Sequence, residues 1–598
     1  MTDRHYNEED DFSFRFFFVP RVRVLLVILS IINVFLFLLF FITQHFPIFA
    51  LVVHAISVLL LAGWVLYSKN LLPYLKKHIF DILLVCGLFI IAFVIYLYKV
   101  DVITPGIHLD EIIVAKASEL VLSSSEYSPF VDVNYGHPTP LLYLTGLSIE
   151  WFGKTLAAIR LPSIIFGALS VASFYILLRL FFNKTVSFFS SLLMMFSYPL
   201  IIVSKLAYEI TPSLFFQIVT MILLYLAWKK DDLRYYAAVG LSLGAGLYTY
   251  VGFRTFAFVI LVLSIFIATK SLKKFSKGLQ KVGMLIVGLF IVIVPLFSYS
   301  LIHTDQIMER AKGLFVFNQG LPMGEVVKEL SGSAFRLTNL FLPTGSWDNR
   351  PNGDPDPRRN PALTTFFDFG TFLVFLIGIP FFFKRNKRLL LILLILAISP
   401  ILNDILSLER IPEGHYYGLG HPNTLRIAGI IPIIYFVIAF ALSEIKPFLE
   451  GIGKGIYTTT IIFLSLFIIT INWNLYFNQT ISGYNYKFNG AIVLNIVNLI
   501  NRSQVNEVYV SSDVSGDGRF QYFINKNKKI HSFKADDFEN DLAIIKTNKV
   551  TILSPTENNE IAEKLADYVL TNYKDSVRMQ VLNSPIGTTD AVIFIKAE

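Results

Sequence analysis

Two adjacent carboxylates, Asp110 and Glu111, lie in a polar segment that follows an apolar run of membrane-spanning length. A carboxylate at the water edge of a membrane protein can act as a general base and remove a proton from a hydroxyl group. With Ile113, Ala117 and Leu120, the residues from Asp110 onward fit an amphipathic helix on the membrane surface, whose N-terminus Asp110 would cap. Two interpretations stay open: a catalytic base, and a helix cap beside a solvated acid.

A histidine and a second acid occupy two other polar segments. His137 precedes two prolines that fix the backbone where the next apolar helix begins. Glu209 lies in a short turn between two apolar runs, where a charged side chain at depth would cost about 2.5–3.5 kcal/mol. Such a residue is expected either to pair or to function. The simplest partner is Lys205, four residues earlier, which is also a candidate for contact with substrate.

Further basic and aromatic side chains could bind an anion such as phosphate. They are Tyr248, Tyr250 and Arg254 at one helix turn, Arg358 and Arg359 in a Pro-rich loop, and His421 and Arg426 before another apolar run. Tyrosines also form belts at membrane interfaces, so this alternative stays open for Tyr248 and Tyr250.

Several of these residues are of types that bind metals. They are His108, Asp110, Glu111, His137, His415 and His421. None of them shows the close spacing of a metal-binding motif. The prediction is therefore that no cofactor is required, with a divalent metal as the less favoured alternative.

The elements that must position these residues are membrane helices. Of 598 residues, 54% are hydrophobic and only 16% are charged, whereas soluble domains have about 25% charged residues. Apolar runs of bilayer length predict about thirteen transmembrane helices. They lie at 22–44, 48–68, 79–100, 156–182, 185–203, 212–228, 235–251, 254–270, 282–301, 364–383, 389–403, 425–444 and 456–473.

The net charge of +8 does not indicate a nucleic-acid partner, because much of the excess Lys and Arg lies in short loops between the spans. With the N-terminus in the cytoplasm, most of these basic residues lie inside, as the positive-inside rule requires. The polar loops 101–155, 302–363 and 404–424 then lie outside the cytoplasm, and the candidate site with them. The single cysteine, Cys86, excludes an internal disulfide.

Residues 474–598 differ in character from the rest of the chain. Runs typical of strands occur at 507–510, 549–553 and 591–595, and a helical pattern at 557–571 follows Thr556 as a possible N-cap. The prediction is an extracytoplasmic α/β domain over 474–598, after a cytoplasmic segment 1–21 and a transmembrane module 22–473.

Three motifs in this order resemble the C-type glycosyltransferases of the protein O-mannosyltransferase and aminoarabinose-transferase group, which are family-39-like. They are Asp110-Glu111, His137-Pro138-Thr139-Pro140 and Arg160-Leu161-Pro162-Ser163. The resemblance is strongest over 100–260. It continues more loosely through Tyr248 to Arg254, Asp356 to Asn360 and His421 to Arg426.

The resemblance implies an all-α polytopic membrane bundle of GT-C type that uses a sugar on a polyprenyl phosphate and inverts the anomeric carbon. It implies Asp110 as catalytic base, Glu111 as its assistant and Glu209 as the second acid. Arg254, Arg358 and Arg359 become candidates for the phosphate.

One position departs from the aminoarabinose transferases. They have Lys before two prolines, where this chain has His137. A neutral imidazole would supply no fixed charge to a leaving phosphate.

Two other functions are compatible with a polytopic protein: a transporter or flippase for a lipid-linked glycan, and a non-catalytic protein that displays the C-terminal domain. Transporters carry ionisable residues near the bilayer midplane. Here such residues are mostly in the predicted outer loops, which favours the glycosyltransferase. The acceptor is left open among a protein, a lipid and a glycan.

Overall fold

The computed structural model describes residues 19–43, 47–66, 76–103, 105–133, 136–269, 275–343, 352–408, 420–479, 490–503, 507–534, 551–555, 577–583 and 589–596, with residues 567 and 571. The candidate ligand His415 and nearly all of the predicted helix 557–571 lie outside these residues.

The described part of the chain is mainly helical, which confirms the predicted all-α polytopic bundle. The helices of the bundle are α1 (Val19–Thr43), α2 (Pro47–Leu66), α3 (Ile79–Leu97), α6 (Leu156–Arg179), α7 (Lys184–Met195), α8 (Tyr198–Ser204), α9 (Ile210–Lys230), α10 (Leu233–Gly246), α11 (Phe253–Thr269), α12 (Phe275–Ile302), α15 (Phe369–Arg385), α16 (Lys387–Ile405), α17 (Thr424–Ile427), α18 (Ile431–Glu444), α19 (Lys446–Ile452) and α20 (Ile456–Trp473).

Each of the thirteen predicted apolar segments contains a helix, but the number of thirteen spans is not confirmed. Within the described residues, nine helices are long and apolar enough to cross a bilayer, and a tenth crossing requires α7 and α8, bent by 62°, to count as one. Helices α10, α11 and α15 have 14, 17 and 17 residues. An untilted span needs about 20 residues, so these three helices are not among the nine.

Small residues allow a close helix crossing between α10 and α12. A Cβ atom on Gly240 would lie 2.0 Å from the carbonyl oxygen of Leu285, and one on Gly288 would lie 2.1 Å from that of Ala237. Backbone contact through small residues is a main source of helix association in membranes, where lipid leaves little hydrophobic driving force. Helix α12 leads from this crossing to the polar loop 302–363, which is predicted to lie outside the cytoplasm.

Shorter elements connect the bundle at the end where the candidate residues lie. They are α4 (Leu109–Ser123), the strands β1 (Phe130–Val131) and β2 (His137–Pro138), α5 (Thr139–Phe152), α13 (Thr304–Leu314) and α14 (Met323–Arg336). The antiparallel pair β1–β2 sets Val131 opposite His137, which fixes the backbone on which His137 is presented.

The C-terminal part contains a mixed five-stranded sheet of order β4-β3-β5-β7-β6. Its elements are α21 (Ala491–Arg502), β3 (Glu507–Ser511), α22 (Ser512–Ser515), α23 (Gly518–Phe523), β4 (Lys529–Phe533), β5 (Thr551–Pro555), β6 (Val577–Asn583) and β7 (Thr589–Lys596). β3 runs parallel to β4 and β5, whereas β7 is antiparallel to β5 and β6. The three predicted strand runs correspond to β3, β5 and β7.

The C-terminal part packs against the helix that carries the two adjacent acids. Leu494 of α21 and Tyr522 of α23 lie in one hydrophobic cluster with Ile112 and Ala115 of α4. Lys154 lies over the ring of Tyr522, 4.5 Å from its centroid. The C-terminal part therefore supports α4 from outside the bundle. The division of the chain into domains stays a prediction.

Candidate active site

The N-terminus of α4 separates the roles of the two adjacent acids. His108, not Asp110, is the N-cap residue: its Nδ1 accepts a hydrogen bond of 3.2 Å from the backbone N–H of Asp110. Glu111 completes the capping box, because its carboxylate accepts the backbone N–H of His108 at 3.2 Å. The expected cap at Asp110 is wrong, and its side chain stays 44% exposed.

Glu111 is fully engaged in a buried ion pair. The Nε and Nη2 atoms of Arg160 donate to its two carboxylate oxygens at 2.9 and 3.0 Å, and the backbone N–H of Ala207 donates at 2.9 Å. Arg160 also donates to the carbonyls of Val100 and Gly106, both at 3.0 Å. Burial would raise the pKa of Glu111, but Arg160 outweighs it and lowers the pKa. This ion pair, with the two carbonyl contacts, holds the segment that precedes α4 against helix α6.

Glu209 pairs with His137 and not with Lys205. The carboxylate of Glu209 contacts Nδ1 of His137, and both side chains are buried. The expected Lys205–Glu209 pair is wrong, because Lys205 donates to the carbonyl of Tyr98 at 2.6 Å and lies beneath two aromatic rings. Burial alone would raise the pKa of Glu209. The charge and hydrogen bond of His137, with Arg310, outweigh burial and lower the pKa to about 2.

The two adjacent arginines are held by two aspartates of the same loop. Arg359 donates to Asp354 at 2.9 Å and lies 3.2 Å from Asp356, whereas Arg358 donates to Asp356 at 2.7 Å. Asp354 also accepts the backbone N–H of Thr424 at 2.7 Å. Burial would raise the pKa of Asp356, but Arg359 and Arg358 outweigh it and lower the pKa. These ion pairs fix both guanidinium groups in place.

A cavity of about 320 Å³ brings half of the predicted site residues together. Its lining is formed by Asp110, Val114, His137, Tyr208, Glu209, Tyr250, Arg310, Gly313, Leu314, Arg359, Asn423, Leu425 and Arg426. Arg254 lines a smaller neighbouring cavity of about 20 Å³, which shares His137, Glu209, Tyr250 and Arg310. Carboxylates and cations that are far apart in the sequence therefore face one space.

Six predicted site residues do not line the main cavity. They are Glu111, Lys205, Tyr248, Arg254, Arg358 and His421. The hydroxyl of Tyr248 donates to the carbonyl of Val292 and accepts the N–H of Leu296, both at 3.2 Å, where Pro295 interrupts α12. His421 is fully buried, with Nδ1 3.2 Å from Asp404. The two hydrogen bonds of Tyr248 give it a structural role at α12.

Two residues at the cavity have no counterpart in the sequence prediction. Arg310 of α13 lies over the ring of Tyr250, 5.9 Å from its centroid. The hydroxyl of Tyr208 lies 3.1 Å from Nδ1 of His108, whose Nε2 contacts Arg358. Burial and the charges of Asp110 and Glu111 raise the pKa of Tyr208 well above its ordinary value. The basic residues of loop 302–363 were the only signal that could have pointed to Arg310.

The cavity also contains residue types that bind metals. Within the part of the chain that the structure describes, no three His, Cys, Asp or Glu side chains converge closely enough to hold a metal ion. Asp110 and Glu209 are each close to a histidine, but in separate pairs.

The comparisons agree with the motifs. Residues 136–299 match the model of the family described as dolichyl-phosphate-mannose-protein mannosyltransferase. The predicted resemblance is confirmed over this segment. It contains His137, Glu209, Tyr250 and Arg254, whereas Asp110, Arg310, Arg359 and Arg426 lie outside it. No curated protein matches the chain in sequence.

Solved membrane-protein structures show a distant likeness to the chain. ArnT from Cupriavidus metallidurans bound to undecaprenyl phosphate has 13% identity over 85% of this chain and 97% of its own, with a TM-score of 0.44. The Archaeoglobus fulgidus oligosaccharyltransferase tethered with an acceptor peptide has 13% identity over 88% of this chain and 75% of its own, with a TM-score of 0.39. The S. cerevisiae Pmt1-Pmt2 complex bound to the sugar donor has 19% identity over 40% of this chain and 36% of its own, with a TM-score of 0.31. These scores are too low to assign a function.

Proposed function

We propose that the chain is an integral membrane glycosyltransferase that moves a sugar from a polyprenyl phosphate to an acceptor hydroxyl. One observation carries this proposal: the accessible carboxylate of Asp110 lines the same cavity as Arg310, Arg359 and Arg426. A base and a set of cations facing one space fit a reaction in which a hydroxyl loses a proton and a phosphate leaves. The match of residues 136–299 to a mannosyltransferase family supports the same reaction.

In the proposed reaction the acceptor oxygen attacks the anomeric carbon and passes its proton to Asp110. The new bond joins the acceptor oxygen to the anomeric carbon, and the bond from that carbon to the phosphate oxygen breaks. Its electron pair leaves with polyprenyl phosphate. Attack from the face opposite the phosphate inverts the configuration of the sugar.

The arginines stabilise the charge that develops on the leaving phosphate. Arg359 is suited to this task because Asp354 and Asp356 already hold its guanidinium group. A cation that is in place before the reaction needs no reorganisation in the transition state. Glu111 has a different role, because both of its oxygens bind Arg160. We assign it as a positioning residue for α4 and not as a group that touches substrate.

The proposed site faces the outside of the cell membrane. Helix α9 begins beside Glu209 and ends with Lys229 and Lys230, and α12 carries Lys277 and Lys281 near its start and reaches the outer loops at its end. The cavity is therefore at the end of the bundle opposite these basic helix ends. The positive-inside rule then supports a cytoplasmic N-terminus and an extracytoplasmic C-terminus.

The proposal is tested with the purified protein and a panel of polyprenyl phosphates that carry different labelled sugars. Membrane lipids, peptides and glycans are supplied as acceptors, and both labelled product and free polyprenyl phosphate are measured. Equal amounts of the two, formed only with active protein, are expected. Movement of the donor between the leaflets of a vesicle without product would instead support the flippase.

Arg310 is predicted to contribute to transfer although no sequence motif includes it. Replacing Arg310 by Gln is expected to lower kcat/KM about 10²-fold, in the range for removal of one preset transition-state donor. The matched control is Lys312→Gln on the same helix, because Lys312 pairs with exposed Asp305 and lies outside the cavity lining. Equal kinetics for the two variants would remove Arg310 from the site.

Transfer is predicted to be insensitive to chelators. The arginines supply the positive charge that a divalent metal would otherwise supply. The rate in EDTA is therefore expected to fall by less than fivefold, which corresponds to about 1 kcal/mol of activation free energy. Rates are measured before and after treatment of the purified protein with EDTA and after readdition of Mg²⁺ or Mn²⁺. Loss with EDTA and recovery with metal would contradict the metal-free mechanism.

A further inference from the structure

Tyr198 is the first residue of α8, at the bend of 62° between α7 and α8. It is 2% exposed and does not line the main cavity. Backbone N–H groups in the first turn of a helix have no partner within that helix. The N–H of Tyr198 donates to Oδ1 of Asn472 in α20 at 2.8 Å. Asn472 in turn donates to Asp368, the N-cap of α15, at 2.8 Å. Hydrogen bonds to two other helices therefore fix the bend.

The hydroxyl group of Tyr198 binds the loop that carries the two adjacent arginines, which we term the arginine loop (352–364). It donates to Oδ1 of Asn360 at 3.0 Å and accepts the backbone N–H of Ala362 at 2.8 Å. A phenylalanine at this position would fill the same space but could form neither bond. The hydroxyl therefore ties the arginine loop to the helix bundle at the bend.

Asn360 is the internal anchor of the arginine loop. Its side chain is 3% exposed, and Nδ2 donates to the carbonyl oxygens of Asn352, Asp354 and Thr364 at 2.8, 2.9 and 2.9 Å. The two ends of the loop lie in close contact, because a Cβ atom on Gly353 would lie 2.0 Å from the carbonyl oxygen of Thr364. The loop is thus closed around one buried side chain, and that side chain accepts the hydroxyl of Tyr198.

Asp354 connects this anchor to Arg359. Its backbone carbonyl accepts Nδ2 of Asn360, and its carboxylate accepts Nε of Arg359 at 2.9 Å. Tyr198 and Arg359 also border a small cavity of about 10 Å³, close to the space that one water molecule needs. The arginine loop therefore has room to shift when the hydroxyl of Tyr198 is removed.

The other end of α8 leads to the acidic side of the main cavity. The helix has seven residues, which gives it a length of about 10 Å. Ala207 follows it and donates its backbone N–H to Glu111, and Glu209 then lines the main cavity. Helix α8 therefore sets the spacing between the arginine loop and the acids on the opposite side of the site.

We propose that Tyr198 is a positioning residue for Arg359, which it holds in place through Asn360. This inference rests on the proposed function, in which Arg359 stabilises the charge on the leaving phosphate. A preset cation is effective only while its position fits the transition state. Loss of the hydroxyl should therefore slow the chemical step and leave donor binding nearly unchanged. The bend between α7 and α8 acquires a role in the reaction, because it presents Tyr198 to the arginine loop.

The first measurement is hydrogen exchange of the purified full-length protein, followed by mass spectrometry over the arginine loop. In Tyr198→Phe the amides of this loop should exchange about fivefold faster than in the wild type, as expected for the loss of one or two hydrogen bonds. Tyr457→Phe is the matched control. Tyr457 is also buried, and its hydroxyl donates to the carbonyl of Leu442 at 3.0 Å, away from the cavity. Unchanged exchange in Tyr198→Phe would overturn the inference.

The second measurement is a double-mutant cycle for sugar transfer. Tyr198→Phe is expected to lower kcat about tenfold and to change the KM for the donor by less than about twofold. Arg359→Gln should lower kcat further, by about 10²-fold. The double variant should be no slower than Arg359→Gln alone, because Tyr198 acts through Arg359. Asn360→Ser removes the same contact from the loop side and should show the same pattern, which keeps the test informative when Tyr198→Phe is unstable.

Different results contradict different claims. Losses in kcat that multiply in the double variant, or a kcat for Tyr198→Phe equal to that of Tyr457→Phe, would overturn the positioning role and leave the proposed function intact. Faster exchange of the arginine loop in Tyr198→Phe, together with no transfer by the wild type from any donor, would support the anchoring of Arg359 and contradict the proposed function.

Discussion

Replacing Asp110 by Asn is expected to lower kcat for sugar transfer by about 10²–10⁴-fold, the range for loss of a general base. The change keeps the size of the side chain and the backbone N–H that donates to His108. The helix cap should therefore survive, and the KM for the donor should change little. Initial rates with saturating donor and acceptor measure the effect.

Asp305→Asn is the matched control for this variant. Asp305 is also an aspartate of a predicted outer loop, but its side chain is 97% exposed and pairs with Lys312 at the surface. We expect the rate of Asp305→Asn to stay within about twofold of the wild type, since exposed pairs contribute little. Asp110→Asn with a rate as high as that of Asp305→Asn would show that Asp110 is a solvated acid and not the base.

Replacing Glu111 by Gln is expected to destabilise the protein by about 3–5 kcal/mol, because it leaves the buried Arg160 without its counter-charge. Arg160 is 1% exposed and binds both carboxylate oxygens of Glu111. The pKa of Glu111 is lowered in the folded protein. The stability that the pair contributes is therefore present above the ordinary pKa of glutamate and lost as the pH falls through the folded value.

Glu119→Gln, on the same helix as Glu111, is the comparison variant. Glu119 pairs with Lys154 at 2.9 Å, but both side chains are partly exposed, at 33% and 46%. Glu119→Gln should cost about 0–1 kcal/mol. Denaturant unfolding in detergent at neutral pH and at pH 4 measures both variants. A loss for Glu111→Gln no larger than that for Glu119→Gln would mean that the ion pair does not support α4.

Hydropathy predicted where the helices lie because lipid-facing segments must be apolar over their full length. It could not show that α10, α11 and α15 are shorter than a typical span or that α7 and α8 are bent against each other by 62°. Those features depend on packing between helices, which a one-dimensional pattern does not contain. The strands β3, β5 and β7 were predictable from their runs of β-branched and aromatic residues.

The site was predictable where polar residues lie in the segments between apolar runs. Asp110, His137 and Glu209 were found in this way, and they line one cavity. The resemblance gave the two adjacent acids different roles, but the residue pattern alone could not show which of them faces a cavity, because adjacent residues of a helix point in directions about 100° apart. Only the fold shows that Glu111 faces Arg160 while Asp110 faces the cavity.

Partners that are distant in sequence were the main source of error. Lys205 was the expected partner of Glu209 because it lies four residues away, but His137, 72 residues away, takes that place. Arg310 was missed for the same reason, since its relation to the cavity exists only when α13 folds back over Tyr250. Local spacing predicts pairs within one helix and not pairs between elements.

The most direct test of the central claim is a structure of the Asp110→Asn variant with polyprenyl-phosphate sugar bound. The account predicts the phosphate among Arg310, Arg359 and Arg426. It also predicts the anomeric carbon placed so that an acceptor oxygen about 3–3.5 Å away lies within hydrogen-bond reach of residue 110. A donor phosphate outside this cavity, or a sugar on the far side of the arginines from residue 110, would contradict it.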